Sequence, residues 1–392
     1  MARSSLRRVG DHQAATTLEL FYDLVFVFAI TQVSHHLLEH LSWRGLAQST
    51  LILLVVWWSW NYTTWVTNEL DPESPVVRSL MIALMLGSLL MAVAIPEAFG
   101  KESLLFVLAY LGIQIGRHTF LTFYAADART IERKRAGHIL VWFCMAAVPW
   151  IAGALVDDEA TRWILWLIAL AIDYAGPLLT YRLPFVARVP QDAWHVSTDH
   201  FAERFGLFII IALGETIVLT GATTSDLDLT TTVVVAFAAA FLTTAALWWL
   251  YFTSVARFGE QDLHDAANRV ALARDNYTYF HVILVAGIII SAVGDELLIA
   301  HASEPLPAAE IATIVGGPAL YLLGHALLRL RATRRLSPRR LGGALALVIV
   351  GLTAQDADGL VIGLLTLAVL VAVVAGDQVA AARRRRRLPV AG

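Results

Sequence analysis

Four ionisable side chains, Asp23, Arg117, Asp173 and Glu215, stand inside otherwise apolar stretches of this 392-residue chain. In hydrocarbon such a group costs about 2.5–3.5 kcal/mol on insertion scales, so each needs a partner, a water-filled cavity or a neutral state. Glu215 follows Gly214 near the middle of its apolar run, with Gly206 on a similar face. Small residues there let another backbone approach. A glutamate in that place is either a proton carrier or a hydrogen bond across a helix bundle. Asp173 lies in Ala171-Ile172-Asp173-Tyr174-Ala175-Gly176-Pro177. Pro177 lacks an N–H and frees the carbonyl of Asp173, four residues back. A broken helix beside a carboxylate can form a cation or proton site; an ordinary proline kink is the plainer alternative. Arg117 stays charged and so requires a carboxylate or an anion. Glu19 and Asp23 are four apart and share a helix face; Asp199 and Glu203 repeat that spacing. The expectation is that Arg117 pairs with Asp23 or Glu203. That cluster, with Glu19 and Asn61 nearby, would act as a gate tie or as a site for an anionic group.

Other chemistries find less support. His35, His36, His40 and His118 are sparse, and only His36 and His40 share a face, near the end of an apolar run beside Glu39. That pattern reads as interfacial, so no metal site is expected. The single cysteine, Cys144, excludes a disulfide framework and a cysteine cluster. HExxH, a phosphate loop and a GxSxG elbow are absent from the sequence. No cofactor is expected.

The elements that must hold these groups follow from composition. The chain is 58% hydrophobic and 16% charged, against about 45–50% and about 25% in soluble domains. A cytosolic enzyme, a nucleic-acid binder and a disordered chain are all excluded, and an all-α polytopic membrane protein is indicated. Apolar runs fall at 18–38, 46–66, 78–96, 103–124, 137–156, 162–181, 205–223, 230–253, 276–298, 308–328, 341–355 and 359–379, about twelve spans. The run 341–355 is the shortest and weakest. The first run is long for a cleavable signal and no small-x-small site follows, so it reads as a retained helix. With the N-terminus inside, 25 of the 29 Lys and Arg residues fall on the cytoplasmic side. A miscounted helix would destroy that bias. Both termini are therefore expected in the cytoplasm of a bacterial inner-membrane protein, with no appended soluble domain. The expected parts are a cytoplasmic N-terminus (1–17), a first six-helix half (18–181) and a linker (182–204). A second half (205–379) and a basic tail (380–392) follow. The run Arg383 to Arg387 would anchor the tail to anionic lipids.

The halves echo each other weakly. Glu19-Leu20-Phe21 answers to Glu203-Arg204-Phe205. Trp57-Trp58 answers to Trp248-Trp249, and Ala94-Ile95-Pro96-Glu97 to Ala292-Val293-Gly294-Asp295-Glu296. This predicts a parallel 6+6 repeat, as in many secondary transporters. Trp57, Trp58, Trp60 and Trp65, like Trp248 and Trp249, read as an interfacial aromatic belt; a stacking wall for a ring-bearing substrate is the alternative.

Several of these segments carry a family pattern. Leu18-Glu19-Leu20-Phe21-Tyr22-Asp23-Leu24-Val25-Phe26-Val27-Phe28-Ala29 resembles the opening signature of the bacterial low temperature requirement protein A family. So do Trp57-Trp58-Ser59-Trp60 with Tyr62, Trp65, Thr67, Asn68 and Asp71, and Ala94-Ile95-Pro96-Glu97-Ala98-Phe99. The most specific block runs from His200-Phe201-Ala202-Glu203-Arg204-Phe205-Gly206 to Gly214-Glu215. The resemblance is strongest from Leu18 to about Gly221. It implies a role in growth at low temperature, without a substrate or a mechanism. Three functions are compatible with the residues: a secondary transporter or flippase, with Glu215 or Asp173 carrying a coupling proton; a membrane-embedded enzyme acting on a lipid; and a non-transporting cold-adaptation or signalling protein. Membrane lipids and an unknown small-molecule or lipid substrate are the expected partners, with no nucleic acid.

Overall fold

A computed structural model describes residues 15–125, 130–190, 198–255 and 268–387. Each of the twelve apolar runs is helical. The helices are α1 (Thr17–Glu39), α2 (Trp43–Thr67), α3 (Pro75–Val93), α4 (Ser103–Phe120), α5 (Ile131–Leu155) and α6 (Glu159–Leu178). They continue with α7 (Thr198–Ser225), α8 (Thr231–Leu250), α9 (Arg269–Ala300), α10 (Ala308–Thr333), α11 (Pro338–Thr353) and α12 (Gly359–Arg387). Among the described residues nine of these are long and apolar enough to cross a membrane. The other three are α2, α6 and α11. Gln48, Ser49, Ser59, Asn61, Thr63 and Thr64 dilute α2, and Arg162 and Asp173 dilute α6. Helix α11 has 16 residues, about 24 Å at 1.5 Å per residue.

Local chemistry sets the helix ends. Asp158 caps α6, its carboxylate accepting the Thr161 N–H at 2.7 Å and the Thr161 hydroxyl at 2.6 Å. Those bonds hold its carboxyl below the usual range. Thr130 and Thr230 cap α5 and α8 in the same way. Pro75 and Pro338 open α3 and α11, where the missing N–H has no partner to lose. Three π-helical turns, Leu121–Ala125, Tyr251–Val255 and Arg274–Phe280, follow α4, follow α8 and lie within α9.

The chain divides into two compact units, Met1–His36 with Gln48–Arg204, and Leu37–Ala47 with Phe205–Gly392. In the first, α3 packs on α4, α4 on α5 and α5 on α6. In the second, α9 packs on α10, α10 on α11, and α12 on both α11 and α8. The α9–α10 pair is the tightest. A Cβ on Gly294 would sit 2.8 Å from the Ile314 Cα, and one on Gly287 would sit 2.7 Å from the Tyr321 backbone nitrogen. Glycine is required where backbones approach this closely.

Three sequence expectations change here. Helix α6 ends at Leu178, so Pro177 is its penultimate residue rather than a midspan break. Thr180 and Tyr181 then take positive φ values of 51° and 52°. The stretch 182–204 is not all linker, because α7 begins at Thr198; residues 191–197 lie outside the described set. The basic tail is helical as far as Arg387, since α12 continues to that residue.

Candidate functional site

The buried polar residues of the first unit form three neighbouring groups. The first begins at the start of α1. Thr16 and Glu19 form a capping box: the Glu19 N–H donates to the Thr16 hydroxyl at 3.3 Å, and the Thr16 N–H donates to Glu19 Oε2 at 2.9 Å. This leaves Glu19 Oε1 to face α7. His200 Nε2 donates to it at 2.9 Å, and Arg204 lies 3.2 Å away. The same guanidinium reaches Asp23 Oδ1 at 2.5 Å, and the Trp60 indole N–H donates to that oxygen at 2.7 Å. The i, i+4 spacing of Glu19 and Asp23 is thus answered by the i, i+4 spacing of His200 and Arg204. All four are at most 1% exposed. Two carboxylates face one guanidinium and one imidazole, so full neutralisation requires a proton on His200 or on an acid. Asp23 Oδ2 has no partner among the described residues.

Helix α2 links this group to the second. Trp60 and Thr63 are three apart and share a face. The Tyr22 hydroxyl lies 2.8 Å from Thr63 Oγ1, which donates in turn to the Ser59 carbonyl at 3.0 Å. Arg117 donates to the Thr63 hydroxyl at 2.7 Å and to the Ser59 carbonyl at 3.3 Å, and bonds to Gln114 Oε1. Its guanidinium carbon stands 5.6 Å from the centre of the Tyr62 ring, a cation–π approach. Arg117 is fully buried, yet all its hydrogen-bond partners are neutral.

The third group centres on Asp173, which is 4% exposed. The Tyr110 hydroxyl donates to its Oδ2 at 2.7 Å and the Trp150 indole at 2.9 Å. Oδ1 has no partner among the described residues. Tyr174, next in sequence, donates to the Leu54 carbonyl at 2.9 Å and stacks on Trp58, with ring centres 3.8 Å apart.

The expected pairing of Arg117 with Asp23 or Glu203 is corrected by this geometry. Asp23 is taken by Arg204. Glu203 is exposed, and its Oε2 accepts the Ala15 N–H at 2.7 Å. Rotation by one residue along α7 explains the error: Arg204 and His200 face α1 and Glu203 does not. The side chain of Asp199 lies outside the described set. Asn61 is buried beside Trp60. Glu215 is also fully buried and belongs to the second unit. Next to it Thr216 accepts the Thr244 hydroxyl at 2.8 Å. His36 does not stand as a free ligand, for its Nδ1 lies 3.0 Å from the Ser49 hydroxyl.

The belt reading fails for three tryptophans. Trp57, Trp58 and Trp60 are buried, because their indoles meet Asp23, Tyr174 and each other inside the bundle. Sequence reasoning missed His200, Arg204, Tyr110 and Trp150 as partners. For the first two the signal was present: a Glu/Asp pair four apart needs donors at the same spacing, and His200 and Arg204 have it, one residue along from Asp199 and Glu203.

The fold and this interior define a helical membrane protein with an ionisable core. The chain belongs to the family described as bacterial low temperature requirement A protein (LtrA), whose match spans residues 14–375. It is 33% identical over 328 residues to an uncharacterized protein of Rhizobium meliloti (strain 1021), covering 84% of this chain and 80% of that one. No solved structure matches the chain.

Proposed function

We propose that this protein is a proton-coupled secondary transporter of the bacterial inner membrane, with twelve spans, a 6+6 arrangement and both ends cytoplasmic. Six helices, α1 to α6, before the stretch 179–197 and six, α7 to α12, after it support that arrangement. The one-sided distribution of Lys and Arg supports the orientation. In this reading α2 and α6 span despite their polar residues, because those residues face the interior.

One observation carries the transport reading. Two opposite charges, Arg117 and Asp173, are buried in the same unit, and among the described residues neither is ion-paired. A fold selected for stability alone replaces such groups by apolar ones at little cost or with a gain. Separated intramembrane charges mark ion and substrate paths. Asp173 then carries the coupling proton on its free Oδ1, Arg117 engages substrate, and the Glu19–His200–Arg204–Asp23 group ties the cytoplasmic gate.

The test is purified protein in liposomes enclosing a pH-sensitive dye, challenged with a panel of small-molecule and lipid-headgroup gradients. A member of the panel is expected to drive proton movement that Asp173→Asn abolishes. Silence across the panel from folded protein would refute the reading.

A further inference from the structure

We propose that Arg117 and Gln114 form an anion-binding site within the first unit, for a small monovalent anion or the carboxylate of an organic acid. Gln114 precedes Arg117 by three residues on α4 and shares its face. Its Oε1 accepts from Arg117, which turns its amide nitrogen away from that bond. Arg117 Nε is buried with no acceptor among the described residues, the Gln114 amide has the Tyr110 hydroxyl beside it, and both side chains are fully buried. Buried donors are normally satisfied, so an unclaimed guanidinium N–H on an unneutralised buried charge, with an amide one turn away, asks for a guest that only accepts.

The surroundings fix the sign of that guest. The groups that could face it are the Tyr22, Thr63 and Tyr110 hydroxyls and the His118 ring. His118 Nδ1 lies 2.9 Å from the Gln114 carbonyl and is its donor. The acids nearby are engaged elsewhere, Asp23 by Arg204 and Trp60 and Asp173 by Tyr110 and Trp150. A cation would meet a guanidinium and an excess of N–H groups. An anion gains a charge-assisted contact from Arg117 and the amide of Gln114 together. The inference rests on the transport reading only where it names the anion as cargo; the binding site itself does not depend on it.

The experiment is thermal unfolding of the full-length protein in detergent, titrated with chloride, bromide, nitrate, formate and acetate. Ionic strength is held constant with a bulky sulfonate. At least one small anion is expected to give a saturable rise in melting temperature, since a ligand of the native state stabilises by mass action. Gln114→Glu places a carboxylate beside Arg117. It is expected to melt no lower than wild type without small anions and to weaken the anion effect at least about tenfold. Gln114→Leu, which removes the donors without adding charge, is expected to weaken it several-fold. A flat wild-type titration, or Gln114→Glu with an undiminished anion effect, would overturn the proposal. Anion binding without proton flux in liposomes would support this site and sink the transport reading. Flux with no anion effect on either measurement would do the reverse.

Discussion

Trp57, Trp58 and Trp60 in the first unit are 1%, 0% and 0% exposed, whereas Trp248 and Trp249 in the second are 44% and 45% exposed. In the sequence these groups look alike: aromatic clusters toward the same end of an apolar run. In the fold they do opposite work. The first set lines a polar interior, where the Trp60 N–H is tied to Asp23 and the Trp58 ring lies on Tyr174. Trp248 and Trp249 face outward, as an interfacial belt requires. The same split holds for the rest of each unit. The first joins α1, α2, α4, α5, α6 and α7 through side-chain hydrogen bonds to Glu19, Asp23, Arg117 and Asp173. The second closes α9 on α10 through glycines and apolar contacts. Both units bury ionisable groups, Glu215 and Asp295 among them in the second, but the first links its own through side-chain hydrogen bonds across six helices, and the second is marked by close backbone packing. Function is sought where stability has been set aside.

Mutations should separate the two designs. The largest effect is expected at Arg204. Arg204→Ala leaves Glu19 and Asp23 buried against a single imidazole, and breaking a buried pair from one side costs about 3–5 kcal/mol. Detergent melts should show the variant collapsing or failing to accumulate. A melting point close to wild type would mean that water reaches these acids. In the second unit the sensitive feature is backbone approach, not charge. Gly294→Leu forces α9 away from α10, and overpacking of this kind costs about 1–3 kcal/mol. The measurement is again the melting temperature, with the anion-induced rise of the first unit expected to persist. The tryptophans themselves should differ, and the smallest effect of all is expected at Trp248. Trp60→Phe removes one donor from buried Asp23, at about 1–3 kcal/mol, whereas Trp248→Phe should stay within about 0.5 kcal/mol of wild type. Equal shifts for the two would erase the contrast between the units.

The helices were legible in the sequence because apolar runs of span length have few other solutions. All twelve runs are helical, even 341–355, which α11 occupies with 16 residues. The site was legible only in its residue types. Glu19, Asp23, Arg117 and Asp173 stood out because each breaks an apolar run. Their partners did not, because pairing depends on helix rotation and on contacts between residues 181 apart, such as Asp23 with Arg204. Arg204 was also masked by its place. It sits where a cytoplasmic arginine is expected for topology, and a topological reading had no reason to look further. The tryptophans misled for a related reason: composition at a helix end reads as a belt, and only three-dimensional contacts distinguish a belt from a lining. The echo between halves matches Trp57-Trp58 with Trp248-Trp249 and Glu19 with Glu203, yet the members of each match differ in burial. If the halves descend from one ancestor, their interiors have diverged in chemistry.

Proton movement through the first unit is the central proposal, and dye-reported flux in liposomes compares the two units directly. Driven by a gradient to which wild-type protein responds, Asp173→Asn should abolish proton flux while Glu215→Gln, in the second unit, keeps most of it. Undiminished flux in Asp173→Asn, or loss of flux confined to Glu215→Gln, would contradict the account and move the coupling site into the second unit.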